Sequence, residues 1–155
     1  MTVHRLGLWH KSAQVYVFDQ HQRLLITRRS AQKDLYANLW DYSVGEHLQP
    51  GETFASCARR GLLEELGVTG ATELTPLGGV RRIELQGVTS DGSRYLDREL
   101  QQAYRVDYAG HISFSPDEVA DIAQVSRTDL AARIAAKPAD FTPSLLRDLS
   151  TLALF

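Results

Sequence analysis

The sequence predicts an α+β domain. Three observations carry that expectation. Several segments alternate polar and apolar residues at the period of a strand, a central segment repeats at the period of a helix, and two stretches near the C-terminus carry helix-start signals. The chain has 155 residues, 43% of them hydrophobic, which suits one domain (residues 1–155) with a sizeable core.

Ala13–Phe18 is rich in β-branched and aromatic residues and reads as a strand. Asp19–Gln22 is a polar turn, and Arg23–Arg29 reads as the second strand of a hairpin. Ser30–Asn38 is polar and irregular, a loop; Trp40–Val44 is a short extended piece; Gly45–Gly51 holds two glycines and Pro50 and reads as a loop. Phe54–Leu66 is the periodic helix, with Thr53 as N-cap and Gly67 as its stop. Strands are expected at Leu77–Leu85 and Arg98–Tyr108, separated by a turn at Ser90–Ser93, with a shorter one at Ile122–Val125. Ser126 with Asp129 resembles a capping box for a helix to Ala136. Thr142 and Pro143 open a last helix, Ser144–Leu154.

Seventeen Lys and Arg against nineteen Asp and Glu give a formal charge of −2, so there is no basic coat for a nucleic-acid polymer. No apolar run approaches the length of a membrane span or a signal peptide, and one cysteine, Cys57, makes no disulfide framework. A cytoplasmic protein acting on a small molecule is expected, as monomer or homodimer.

On the helix wheel Phe54, Ala55, Ala58, Leu62 and Leu66 share an arc, while Arg60 and Glu64 lie off it at ion-pair spacing. Glu65 projects between Phe54 and Ala58, onto the apolar face. A carboxylate aimed at a core is costly unless it is paired or holds a metal. Gly61 lies one turn earlier on that face, where glycine costs up to about 1 kcal/mol relative to alanine. Two unfavourable choices on one line point to a site. Gly45, Glu46 and His47 precede the helix, and Asp97 and Glu99 occupy alternate positions of a strand, facing one way.

The segment Gly51-Glu52, seven residues, then Arg60-Gly61-Leu62-Leu63-Glu64-Glu65-Leu66-Gly67-Val68 resembles the Nudix box. It departs from the pattern twice: the first glycine position holds Glu46, and the glutamate after the arginine is Gly61. Leu8-Trp9-His10, Thr27-Arg28-Arg29-Ser30, Lys33, Leu39-Trp40-Asp41 and Ser43-Val44-Gly45 resemble the isopentenyl-diphosphate-isomerase-like branch of that superfamily.

The resemblance implies an α/β/α sandwich with a mixed central sheet between helices. It also implies a hydrolase that uses Mg²⁺ or Mn²⁺ to cleave a nucleoside diphosphate linked to a further group, or a similar small diphosphate. Glu64 and Glu65 would hold the metal, with the Gly45 carbonyl as a further ligand, and Arg60 would orient the glutamates. Glu46 is expected to supply the carboxylate missing at Gly61. Matched isomerase positions add His10, His47, Asp97 and Glu99 as ligands. Arg28, Arg29 and Lys33 are expected at the phosphates, with Trp40 at the pocket wall. The isomerase's catalytic cysteine falls on Gly45, which disfavours isomerisation. Gly61 keeps open a third reading, a domain that binds a diphosphate without turning it over.

Overall fold

The structure, a computed structural model, describes residues 6–70, 73–89 and 91–155. Among the described residues eight strands form one mixed sheet, and the three helices that begin at Phe54, Arg127 and Pro143 cover its two faces, as the α+β expectation required. The strands are β1 (Trp9–Phe18), β2 (Leu24–Arg29), β3 (Trp40–Asp41), β4 (Val44–His47), β5 (Thr75–Pro76), β6 (Arg81–Val88), β7 (Arg94–Asp107) and β8 (Val119–Val125). The helices are α1 (Phe54–Leu66), α2 (Arg127–Ala136) and α3 (Pro143–Thr151), with a 3₁₀ turn at Pro138–Asp140.

The period of two in β1 sorts the layers. Ala13, Val15 and Val17 pack on one face with Cys57, Ala58, Leu62 and Leu66 of α1. Tyr16 and Phe18 pack on the other face with Leu130 of α2 and Leu145 of α3. β1 and β7 run parallel over their shared length, from Trp9 opposite Arg98 to Phe18 opposite Asp107. That register sets His10 beside Glu99, Ser12 beside Gln101 and Gln14 beside Ala103. The outer half of one sheet face is therefore a polar stripe, and its inner half is core.

The caps behave as their residue types demand. Thr53 accepts from the Ser56 amide in a capping box, and Gly67 takes the left-handed conformation that ends α1. Ser126 caps α2 and Thr142 caps α3 through their side chains.

Four local expectations need correction. The first hairpin is splayed: β1 and β2 register only at Phe18 and Leu24, because β4 pairs with β1 and β8 with β2. Ser43 stands in the gap, accepting from the Val17 amide and donating to the Leu25 carbonyl. The segment read as a loop from Gly45 begins as strand β4, whose glycine admits the Tyr42 ring. The strand expected at Leu77–Leu85 is β6, shifted to Arg81–Val88, and it joins β7 in a long hairpin. Helix α3 stops at Thr151, after which Leu154 turns back into the core. Ser90, expected in the turn, and His4, to which the sequence assigns no site role, lie outside the described residues. No helix among the described residues is long and apolar enough to cross a membrane.

Candidate active site

A cleft of about 490 Å³ opens where the polar stripe of β1 and β7 meets β4 and the end of α1. Three groups of charged residues border it.

The first group centres on Glu99. One ligand atom each from His10, His47 and Glu99 lies within 4.8 Å of the others. The Nε2 of His10 is 3.5 Å from Glu99 Oε1 and 3.4 Å from Asp97 Oδ1, and His47 Nε2 is 3.6 Å from Glu99 Oε1. His10 Nδ1 is 3.1 Å from the Leu8 carbonyl, which directs Nε2 at the carboxylates. Ser12 and Gln101 donate to the other Glu99 oxygen at 2.5 and 2.9 Å. Burial pushes Glu99 up, but the hydrogen bonds with His10, His47 and Ser12 outweigh it and hold the carboxyl well below the usual range. At Asp97 burial and the Glu99 charge outweigh the two histidines and raise it to about 6. The Glu99 hydrogen bond raises His10 against the opposing effect of burial. Two imidazoles and two carboxylates form a donor set that fits a divalent cation.

The second group centres on Arg60. Its guanidinium meets both Glu52 oxygens at 2.8 and 3.0 Å, Glu46 at 3.1 Å and Glu64 at 3.2 Å, and donates to the His47 carbonyl at 2.8 Å. The Arg60 hydrogen bonds hold Glu52 near 2. Glu65 stands apart from this hub and lines the cleft. Burial, then the Glu46 charge, pushes it up to about 8, against the Gly45 amide and the Lys33 charge. Gly61 explains the closeness of α1 and β4: a Cβ there would sit 2.7 Å from Val44 Cγ1 and 3.1 Å from Glu46 Cβ. Burial pushes the Cys57 thiol up to about 12, so it is no ready nucleophile.

The third group lies at the other wall. The fully buried Asp148 of α3 accepts from the Tyr16 hydroxyl, from Arg81 at 2.7 Å and from Arg147 at 2.9 Å. Arg81 also donates to Gln14 and Gln101, both at 2.8 Å.

Of the remaining expected residues, Arg29 lines the cleft and pairs with the buried Asp41 at 3.2 Å. Lys33 lines it and pairs with Glu118. Arg28 and Trp40 do not line it. A register shift between Arg28 and Arg29 separates the two, and Arg28 is exposed, donating to the Asn38 carbonyl at 3.0 Å. Trp40 packs in the core beside Phe141. Ser12, Gln14, Gln101, Arg81, Arg147 and Asp148 were not anticipated. The available signal was in β1, where polar residues recur at every second position before Tyr16.

A sequence profile described as the NUDIX domain matches residues 8–145. The chain belongs to the Nudix family. Among curated Nudix relatives it is 30% identical over 142 residues to isopentenyl-diphosphate Delta-isomerase 2 of Aromatoleum aromaticum, covering 92% of this chain and 71% of that one. Among solved structures it resembles the DR0079 protein of Deinococcus radiodurans, with a TM-score of 0.64 and 26% identity over 83% of this chain and 74% of that one. The MutT protein of Methanosarcina mazei shares the Nudix fold at a TM-score of 0.67 and 20% identity, over 90% of this chain and 88% of that one.

Proposed function

We propose that this Nudix protein is a divalent-metal-dependent diphosphohydrolase of the cytoplasm, cleaving a nucleoside diphosphate linked to a further group, or a similar small diphosphate, by attack of water on phosphorus. The observation that carries this reading is Glu65: a carboxyl in the cleft wall, pushed up to about 8, with Glu46 as a like-charged neighbour. Such a pair gains most from a cation between it and a polyanion.

Glu65 and Glu64, with the Gly45 carbonyl, would hold Mg²⁺ or Mn²⁺, and His10, His47, Asp97 and Glu99 would hold a second ion. Bound there, the cations would offset phosphate charge and lower the pKa of the attacking water. Arg60 fixes Glu46 and Glu64 through charge-assisted hydrogen bonds, so neither carboxylate needs to be ordered when the diphosphate arrives. Glu46 takes over the role of the carboxylate absent at Gly61; the close contact between these two positions supports the exchange. Arg29 and Lys33 contact the phosphates, each now balanced by one carboxylate.

Isomerisation is the second reading, favoured by the names of the curated relatives and by the His10, His47 and Glu99 cluster. Gly45 speaks against it. A Cβ there would lie 2.6 Å from the Tyr42 ring, so the position lacks both the thiol and the room for one. Incubation with Mg²⁺ or Mn²⁺ and a panel of nucleotides, nucleotide sugars, dinucleotides and isopentenyl diphosphate separates the readings. Release of phosphate or nucleotide is expected. Dimethylallyl diphosphate would establish the isomerase instead, and binding with no turnover anywhere would leave a ligand-binding domain.

A further inference from the structure

Two guanidinium groups, Arg81 and Arg147, share one carboxylate, Asp148. The Tyr16 hydroxyl also donates to that carboxylate, and the Gln14 and Gln101 carbonyl oxygens accept from the arginines. The group therefore carries one positive charge in excess. Its acceptors are used, yet three donors shielded from solvent have no hydrogen-bond partner among the described residues: Gln14 Nε2, Arg81 Nε and Arg147 Nη1. Leaving such donors unmet is costly, the more so on a charged group. Of the two arginines only Arg147 lines the cleft.

Ser144 stands one helical turn before Arg147 and lines the same wall. It is in the first turn of α3, where the backbone carries partial positive charge. Gln101 ties the wall to the proposed metal cluster, accepting from Arg147 at 3.3 Å while donating to Glu99 at 2.9 Å. A hydrocarbon group placed here would cover the excess charge without pairing it. An anionic oxygen group against the exposed part of Arg147 would balance it.

We infer that Arg147 and Ser144 form a subsite for a carboxylate or phosphate carried by the group beyond the diphosphate, so that the preferred substrate bears an anionic charge at that end. This rests on the diphosphohydrolase reading for the placement of the diphosphate at Glu65.

Two matched pairs of probes test it: UDP-glucuronate against UDP-glucose, which differ by a carboxylate, and NADP⁺ against NAD⁺, which differ by a phosphate. Dissociation constants are measured by calorimetry with Ca²⁺ present, and hydrolysis is followed separately with Mg²⁺. In at least one pair the member with the extra anion binds on the order of tenfold tighter, the effect of a charged hydrogen bond. The responding pair identifies carboxylate or phosphate. Arg147→Met brings the ratio within that pair to about one. Ser144→Asp, which suits a first helical turn and so keeps the fold, does the same by repulsion.

Equal binding within both pairs, a preference that survives both substitutions, or no binding of any probe overturns the subsite. Hydrolysis of both members of a pair at equal affinity sinks the subsite and leaves the diphosphohydrolase standing. A preference lost in Arg147→Met with no hydrolysis keeps the subsite and removes the enzyme reading.

Discussion

Glu65 and Glu99 border one cleft but are held in opposite ways. Glu99 is surrounded by donors: two imidazoles, a serine hydroxyl and a glutamine amide. Glu65 has the Gly45 amide, and it faces the Glu46 charge. Burial disfavours ionisation of both, and the donors reverse the outcome only at Glu99. The difference teaches that the protein stabilises one carboxylate by its own hydrogen bonds. It leaves the other with few donors, as the proposed cation site there requires.

The strongest way to break this comparison is Glu65→Gln. Turnover should fall by about a hundredfold or more, the scale of losing a main electrostatic stabiliser of the transition state. Mg²⁺ should raise the melting temperature of the wild type and not of the variant. Full activity in Glu65→Gln would refute the assignment.

Without metal, the two glutamates should differ in sign. Glu99→Gln removes a charged acceptor from Ser12 and both histidines and should destabilise the fold by about 1–3 kcal/mol, read from urea unfolding. Glu65→Gln should stabilise it at pH 8 by on the order of 2 kcal/mol. Destabilisation by both would show that Glu65 has partners of its own.

A pH series sharpens the same point. The folded Glu65 carboxyl titrates near 8, against 4.5 for its unperturbed value. Between those values the folded chain holds a proton that the unfolded chain has lost, so this group's contribution to stability falls as pH rises. Glu99 is depressed and acts the other way: its contribution is present above the unfolded value and is lost on acidification. Melting curves of Glu65→Gln and wild type in metal-free buffer should coincide near pH 4 and diverge toward pH 8. Parallel curves across the range would contradict the raised value.

A last substitution tests the packing beneath Glu65. Gly61→Ala would ordinarily strengthen a helix by up to about 1 kcal/mol. Here the added Cβ meets Val44 at 2.7 Å, so the substitution should destabilise by about 1–3 kcal/mol instead. A stabilised Gly61→Ala would mean that β4 can move away from α1.

The α1 half of the site was legible in the sequence because a helix wheel projects it. Thr53, Gly67, the inward Glu65 and the Arg60–Glu64 pair all follow from local spacing. The closeness of Asp97 and Glu99 followed from strand alternation. The Arg81–Asp148–Arg147 network was not legible. It joins β6 to α3 across 67 residues of chain, and no local period connects Arg81 to Asp148. Two partners of Arg60, Glu46 and the His47 carbonyl, escaped because β4 read as a loop. Trp40 and Arg28 matched motif positions, yet packing took one into the core and left the other exposed. Motif identity fixes a residue's place in the chain, while sheet register decides what it touches.

The parallel pairing of β1 with β7 also has a bearing on assembly. Ser12 and Glu99, neighbours in the finished sheet, are 87 residues apart in sequence. Closing so large a loop is entropically expensive, and parallel contacts of this range form slowly. The histidines and carboxylates on these strands and on β4 are all brought together only once that loop has closed. A cation captured by them would act as a latch on that step, slowing the parting of strands that are hardest to bring together.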